Sequence, residues 1–262
     1  MAHHTPRSLK HEYELYVERE IEDYKDSVPR NVLLSIGDEA VAILSDQPQL
    51  VLTEMVLWGE VDRIIQRRQR IPSYSTWRRR RLRLLERFRS PEHWGLDPQA
   101  ALVRAFPPAT DSHVLVAAGS AEGAALYLAA NGCEVTALEP EAEAVERVMF
   151  AAESAGLTER VRGCVTDLGH WRPDSPLGGV VCTPAAFAGL SAAERARVIA
   201  VLQSATADGG VPLGQTRVAG QTAMTVEELR ARYDGWDISI ERDRNASISS
   251  TSRTFVARKA VA

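Results

Sequence analysis

Val114-Leu115-Val116-Ala117-Ala118-Gly119-Ser120-Ala121-Glu122-Gly123 is the stretch whose reading decides the fold. Val114 to Ala118 is a short apolar run without polar alternation, the pattern of a strand buried on both faces. Small residues follow, and Glu122 to Asn131, rich in Ala and Leu, reads as a helix. The same rhythm then repeats down the chain. Glu134 to Leu138 reads as a strand, Glu141 to Ser154 as a helix, and Val161 to Thr166 and Gly179 to Cys182 as strands. Ser191 to Ala205 is a helix, and Val211 to Thr216, after Gly209-Gly210, a strand. A last helix, Thr225 to Tyr233, precedes strands Trp236 to Glu241 and Arg253 to Arg258. Strands alternating with long helices predict βαβ units and a mainly parallel sheet, with ligands at the carboxyl ends of its strands.

Upstream the pattern is helical only. Tyr13, Val17, Ile21 and Tyr24, then Leu33, Ile36, Ala40 and Ile43, recur at the three- and four-residue spacings of one helical face. A third helix runs from about Gln49, with Val51, Met55, Trp58, Val61 and Ile65 in step, and Pro72 breaks it. Ser73 or Ser75 caps a fourth, Thr76 to Arg89, whose Trp77, Leu84, Leu85 and Phe88 face one way. Pro91, Gly95, Pro98, Pro107 and Pro108 form a connector. The 262 residues therefore divide into a helical region, 1–108, and an α/β domain, 109–262.

Composition narrows the class. A hydrophobic share of 45% and a charged share of 25% are those of a globular chain and exclude collagen-like, disordered and coiled-coil readings of the whole. No apolar run reaches the ~18 residues of a membrane span, and the N-terminus has no apolar signal core, so no membrane partner and a cytoplasmic location are expected. Cys133, Cys164 and Cys182 share no CxxC spacing, which argues against a disulfide framework and a metal site and for three small core residues.

Charge is less even. The net charge is −4, yet the basic residues are 28 Arg and 3 Lys, and Arg63 to Arg89 holds eleven Arg against one acid, Glu86. Residues 1–62 carry five basic and thirteen acidic groups. Three readings of the arginine stretch stay open: ion pairs within the chain or across a homodimer formed by the helical region, phosphate contacts to nucleic acid, and capture of an anionic substrate. A turn containing proline and no glycine is a poor helix-turn-helix, so nucleic acid ranks below ion pairing.

Three features sit at the carboxyl ends of the predicted parallel strands. Ala118-Gly119-Ser120-Ala121-Glu122-Gly123 leads straight into a helix, where small residues admit a ligand and unpaired N–H groups face an anion or carboxylate. Glu139 ends the second strand 25 residues after Val114, where a carboxylate accepts both hydroxyls of a ribose. Asp167 follows the third strand and suits an adenine amino group. Each has a bland alternative, a turn or a helix cap; together, in this order, they point to a nucleoside.

From Asp111 to Lys259 the chain resembles the class I S-adenosylmethionine-dependent methyltransferases, and among them the tellurite-resistance type that acts on small molecules. Val114-Leu115-Val116 through Ala125-Leu126-Tyr127-Leu128-Ala129 resembles the family's first strand, glycine loop and helix. Gly132 to Pro140 resembles its second strand with the ribose-binding acid, and Asp167-Leu168 its adenine-side acid. Val180-Val181-Cys182-Thr183, with Phe187 and Leu190, resembles the fourth strand and its loop, and Gly209-Gly210, Thr225 to Arg230, Gly235-Trp236 and Thr254 to Lys259 fit the remainder. The resemblance implies a Rossmann-like methyltransferase fold with a mainly parallel seven-stranded sheet, and S-adenosylmethionine as cofactor. Its cofactor-binding residues would be Ala118, Gly119, Ser120, Gly123, Glu139, Pro140, Asp167, Leu168 and Cys182. The glycine loop departs from the family pattern: an ungapped match sets Val116 at the acid, Ala118 and Ser120 at the first two glycines, and Glu122 at the third.

The implied reaction is in-line methyl transfer from a sulfonium to a small-molecule acceptor, which asks the protein for alignment and exclusion of water rather than a dedicated base. Trp171 and Phe187 are aromatic candidates for the sulfonium, and His170 is a candidate base for a hydroxyl acceptor, although as a loop histidine it needs no role. No catalytic residue is assigned. The alternative function is a binding or regulatory protein that keeps the fold, is weak or inactive in catalysis, and contacts nucleic acid through Arg63 to Arg89.

Overall fold

The computed structural model describes residues 8–45, 54–106, 112–117, 121–217, 226–242 and 252–260. The chain forms two compact units, Met1–Leu84 and Leu85–Ala262.

The first unit is helical. α1 spans Leu9–Ser27, α2 Arg30–Ser45 and α3 Glu54–Arg68, and α4, Tyr74–Arg89, carries the chain into the second unit. Ser8 caps α1, its hydroxyl accepting from the His11 N–H at 3.2 Å. The expected stripes of α1 and α2 supply Ile21, Ile36 and Ala40 to a core completed by Val61, Ile64 and Ile65, with Val17, Tyr24 and Ile43 packed against it. α3 turns differently from the expectation. Its buried stripe centres on Val61 and Ile65, and at about 100° per residue Trp58 and Met55 fall progressively off that face; they are 54% and 84% exposed. Gln49 and Val51 lie outside the described residues. The chain leaves α3 through Arg70, at φ 52°, ahead of Pro72. α4 starts at Tyr74, so Ser75 lies inside it and Ser73 stands before it, its hydroxyl bonding Thr76 Oγ1 at 3.2 Å. Phe88 is buried as expected, whereas Leu84 is 38% exposed.

The boundary between the units falls earlier than the proline-rich connector. Pro91–Trp94 forms a 3-10 turn and Ala101–Ala105 a short helix, α5. Phe88, Leu102 and Phe106 join one apolar cluster with sheet residues Val114 and Val116. Burying these large side chains ties residues 85–106 to the sheet unit, although their spacing carries no helical period.

The sheet has seven strands: β1 His113–Ala117, β2 Glu134–Glu139, β3 Val161–Val165, β4 Leu177–Cys182, β5 Thr206–Arg217, β6 Asp237–Arg242 and β7 Ser252–Arg258. Their order is β3-β2-β1-β4-β5-β7-β6. The first five pair in parallel, and β7 is antiparallel to both its neighbours. The connecting helices are α6 Ala121–Ala130, α7 Ala142–Ala155, α8 Ala192–Ala205 and α9 Val226–Arg232. α7 ends at Gly156 in the left-handed conformation (φ 70°), and a capping box between Ser191 and Glu194 opens α8. β5 begins at Thr206, directly after α8, ahead of the expected Val211, with a register shift between Leu177 and Gly179.

Strand residues alternate between two cores. Val114, Val116, Val135 and Ala137 face a cluster built with Leu126, Leu128, Val148 and Ala152 of α6 and α7. Leu115, Ala117, Leu138 and Val180 face Val198, Ile199, Leu202 and Leu229 of α8 and α9. Both faces are therefore covered, which is why β1 carries no polar alternation. Gly179 shows how tightly: a Cβ there would lie 2.1 Å from the Phe106 ring.

Candidate nucleoside-binding site

Strand order reverses between β1 and β4, and a crevice opens at such a switch point at the carboxyl ends of the strands. The register brings those ends level: Ala117 lies beside Leu138 and Cys182, and Glu139 beside Val165. The Thr166 N–H donates to the Glu139 carbonyl at 3.0 Å, and the Thr183 N–H to that of Ala117 at 3.3 Å, so the loops after β3 and β4 leave from fixed points.

Glu139 closes β2 and is 5% exposed, a shielded carboxylate one strand from the switch. Pro140 behind it is exposed. Asp167 lies in the loop after β3, its side chain 48% exposed. It is already engaged: His170 donates its backbone N–H to Asp167 Oδ1 at 3.0 Å, and His170 Nδ1 lies 2.8 Å from both carboxylate oxygens. The His170 side-chain hydrogen bond is the main cause that holds the Asp167 carboxyl below the usual carboxylate range. This turn places an Asp–His pair at the strand ends, with the His170 side chain 83% exposed. An aspartate followed three residues later by histidine, across Gly169, was its only trace in the sequence.

Leu168, Trp171, Cys182 and Phe187 gather in one buried cluster under these strand ends. Trp171 and Phe187, the candidates for a sulfonium, are each 6% exposed and serve as core. Cys182 is fully enclosed, and desolvation pushes its thiol up to about 12, so it packs as a neutral side chain rather than a nucleophile. Among the loop positions, Ala118, Gly119 and Ser120 lie outside the described residues. Gly123, in the first turn of α6, has a protein neighbour where a side chain would stand: a Cβ would lie 2.5 Å from the Trp94 carbonyl oxygen. Glu122 is exposed.

No protein family's sequence profile and no curated protein matches the chain. Solved structures do. The N-methyltransferase NodS from Bradyrhizobium japonicum WM9 matches with a TM-score of 0.51 at 15% identity, over 61% of this chain and 92% of that one. A second NodS structure, in complex with S-adenosyl-L-homocysteine, matches with a TM-score of 0.51 at 14% identity, over 68% of this chain and 97% of that one. TehB from Haemophilus influenzae matches with a TM-score of 0.52 at 18% identity, over 64% of this chain; the match spans 65% of TehB. The sheet unit therefore has the Rossmann-like fold of these methyltransferases, as its strand order had indicated. Among the described residues no helix is long and apolar enough to cross a membrane.

Proposed function

We propose that the chain is an S-adenosylmethionine-dependent methyltransferase acting on a small molecule, of the tellurite-resistance type. The observation that carries this reading is the pair of carboxylates, Glu139 and Asp167, at the level carboxyl ends of β2 and β3 beside the β1–β4 switch. Two acceptors one strand apart fit a nucleoside: Glu139 takes the ribose diol, and Asp167 with Leu168 takes the adenine edge. Ala118, Gly119 and Ser120 admit the amino-acid moiety, and the first N–H groups of α6 face its carboxylate. Bound there, the cofactor would supply an electrophilic methyl on a sulfonium for a lone pair of the acceptor, the sulfur keeping the bonding electrons. The chain's task is then to hold, orient and exclude water, and His170, held by Asp167 with Nε2 uncommitted among the described residues, is placed to take a proton from an acceptor hydroxyl.

A second reading, a methyltransferase-fold binding protein without catalysis, draws on Gly123, whose space is taken by Trp94. Isothermal titration of the full chain with S-adenosylmethionine and S-adenosylhomocysteine separates the two. Binding of both supports the enzyme, and absence of heat at about 1 mM ligand, a free energy weaker than ~4 kcal/mol, overturns it.

A further inference from the structure

The outer edge of the sheet borders a cavity that the nucleoside site does not use. Along the edge strand β6, Asp237, Ser239 and Glu241 alternate with Ile238 and Ile240, and the two isoleucines pack in the core on the opposite face. The register sets Arg258 of β7 opposite Asp237 and Val256 opposite Ser239, so these residues share one face with Glu241. α5 lies over that face, and a cavity of about 170 Å³ opens between its Ala101, Arg104 and Ala105 and the strands. Two of the four charges there are matched: Arg104 pairs with Glu241. The other two are not. Arg258 and Asp237 stand directly across the strands, where Cβ atoms lie about 4.5–5.5 Å apart and opposite charges ordinarily meet. Neither side chain has an ion-pair or hydrogen-bond partner among the described residues, nor does the Ser239 hydroxyl, and all three border the cavity. Its remaining wall is apolar and small, because Ala101 and Ala105, one helical turn apart on α5, leave open the space above Val256.

We propose that this cavity binds a small α-amino acid as its zwitterion. Arg258 takes the carboxylate, Asp237 and Ser239 take the ammonium, and a short aliphatic side chain lies against Ala101, Ala105 and Val256. One molecule answers both uncommitted charges because its own two charged groups hang from a single carbon. A plain anion would meet Asp237 and Glu241, and a plain cation would meet Arg104 and Arg258, so two charges of each sign select a ligand that is neutral and dipolar. The volume equals that of roughly five or six waters at about 30 Å³ each, which suits an amino acid with at most a few side-chain carbons. In the sheet order β6 stands four strands from β1, about 19 Å at the usual strand spacing. A ligand there touches neither Glu139 nor Asp167, and the site is independent of methyl transfer.

The test is isothermal titration of the full chain with L-alanine and L-valine, at least one of which is expected to saturate the protein below about 5 mM. The amine and the carboxylic acid that each lack the other charged group should bind at least about tenfold more weakly, the factor that a lost charge-assisted bond carries. Arg258→Ala and Asp237→Asn change exposed side chains and should each weaken the amino acid by about tenfold or more, with circular dichroism unchanged. Ala105→Leu, which fills the cavity from α5, should abolish binding, and the smaller Ala105→Val should weaken it. Failure of both amino acids to saturate below about 5 mM overturns the proposal. So does equal affinity for the carboxylic acid without its amine, which would mark a site for a plain anion, or full affinity in folded Arg258→Ala.

Discussion

Replacing Glu139 is the sharpest probe of the site. At 5% exposure its carboxylate is shielded by protein, so hydrogen bonds to it are not discounted for competing water. Charge-assisted bonds contribute about 1.5–3 kcal/mol each and neutral ones about 0.5–1.5. Glu139→Gln keeps the shape and exchanges two bonds of the first kind for two of the second, a loss of roughly 2–3 kcal/mol, or about thirty- to 140-fold in affinity. Glu139→Ala forfeits both bonds and falls beyond about hundredfold. Asp167→Asn should cost much less, about three- to tenfold, since that side chain is 48% exposed and its oxygens already serve His170. Titration with S-adenosylhomocysteine measures all three, with thermal melting to show that each variant is folded. If folded Glu139→Ala binds within about threefold of wild type, or if Asp167→Asn loses more than Glu139→Gln, the placement of ribose on β2 is refuted.

Three further outcomes are expected. His113, at the start of β1, bonds Ser175 Oγ at 2.7 Å and Thr136 Oγ1 at 2.8 Å through its two ring nitrogens, and burial is the main cause lowering its pKa. The unfolded chain then binds the proton more readily, so stability is present above the unfolded value of about 6.5 and falls as pH drops below it; denaturant midpoints measured between pH 8 and pH 5 check this, and His113→Asn should flatten the slope. Gly179→Ala sets a methyl 2.1 Å from the Phe106 ring and should cost about 1–3 kcal/mol of stability, with part recovered in the double variant Phe106→Leu; an undiminished midpoint would show that the ring moves freely. Cys182 and Cys133 are buried and Cys164 is half-buried, so a thiol reagent should modify Cys164 first and Cys182 only on unfolding, as mass spectrometry of the labelled peptides would show.

The strands were legible because burial on both faces removes polar residues: Val114 to Ala117 and Glu134 to Glu139 announce themselves without any partner being known. The helices expected over Glu141 to Ser154 and Ser191 to Ala205 were legible to within a residue of their ends, Ala142–Ala155 and Ala192–Ala205. Residues 90–106 were not, since Leu102 and Phe106 are too sparse for a period and acquire meaning only against Val114 and Gly179. The start of β5 was hidden too. Thr206 pairs with Leu177 of β4, but Ala207-Asp208-Gly209-Gly210 is poor in strand formers and the register resumes only at Val211, with Gly209 at φ 77° between. In the site, Glu139 and Asp167 could be read from position at strand ends, whereas the bond between Asp167 and His170 depends on the geometry of the intervening turn.

That geometry also changes the weight of the irregular glycine loop. Glycines in such loops do two jobs, admitting a ligand and letting the helix pack closely. Gly123 does the second: with Trp94 carbonyl oxygen 2.5 Å from where a Cβ would stand, any side chain would push α6 off the 3-10 turn at Pro91–Trp94. Its offset from the family pattern is therefore accounted for by packing within this chain. Glu122, which the ungapped match sets at the third glycine, is exposed. The departure thus bears on how α6 is seated, and Glu139 remains the residue on which the proposed reading stands or falls.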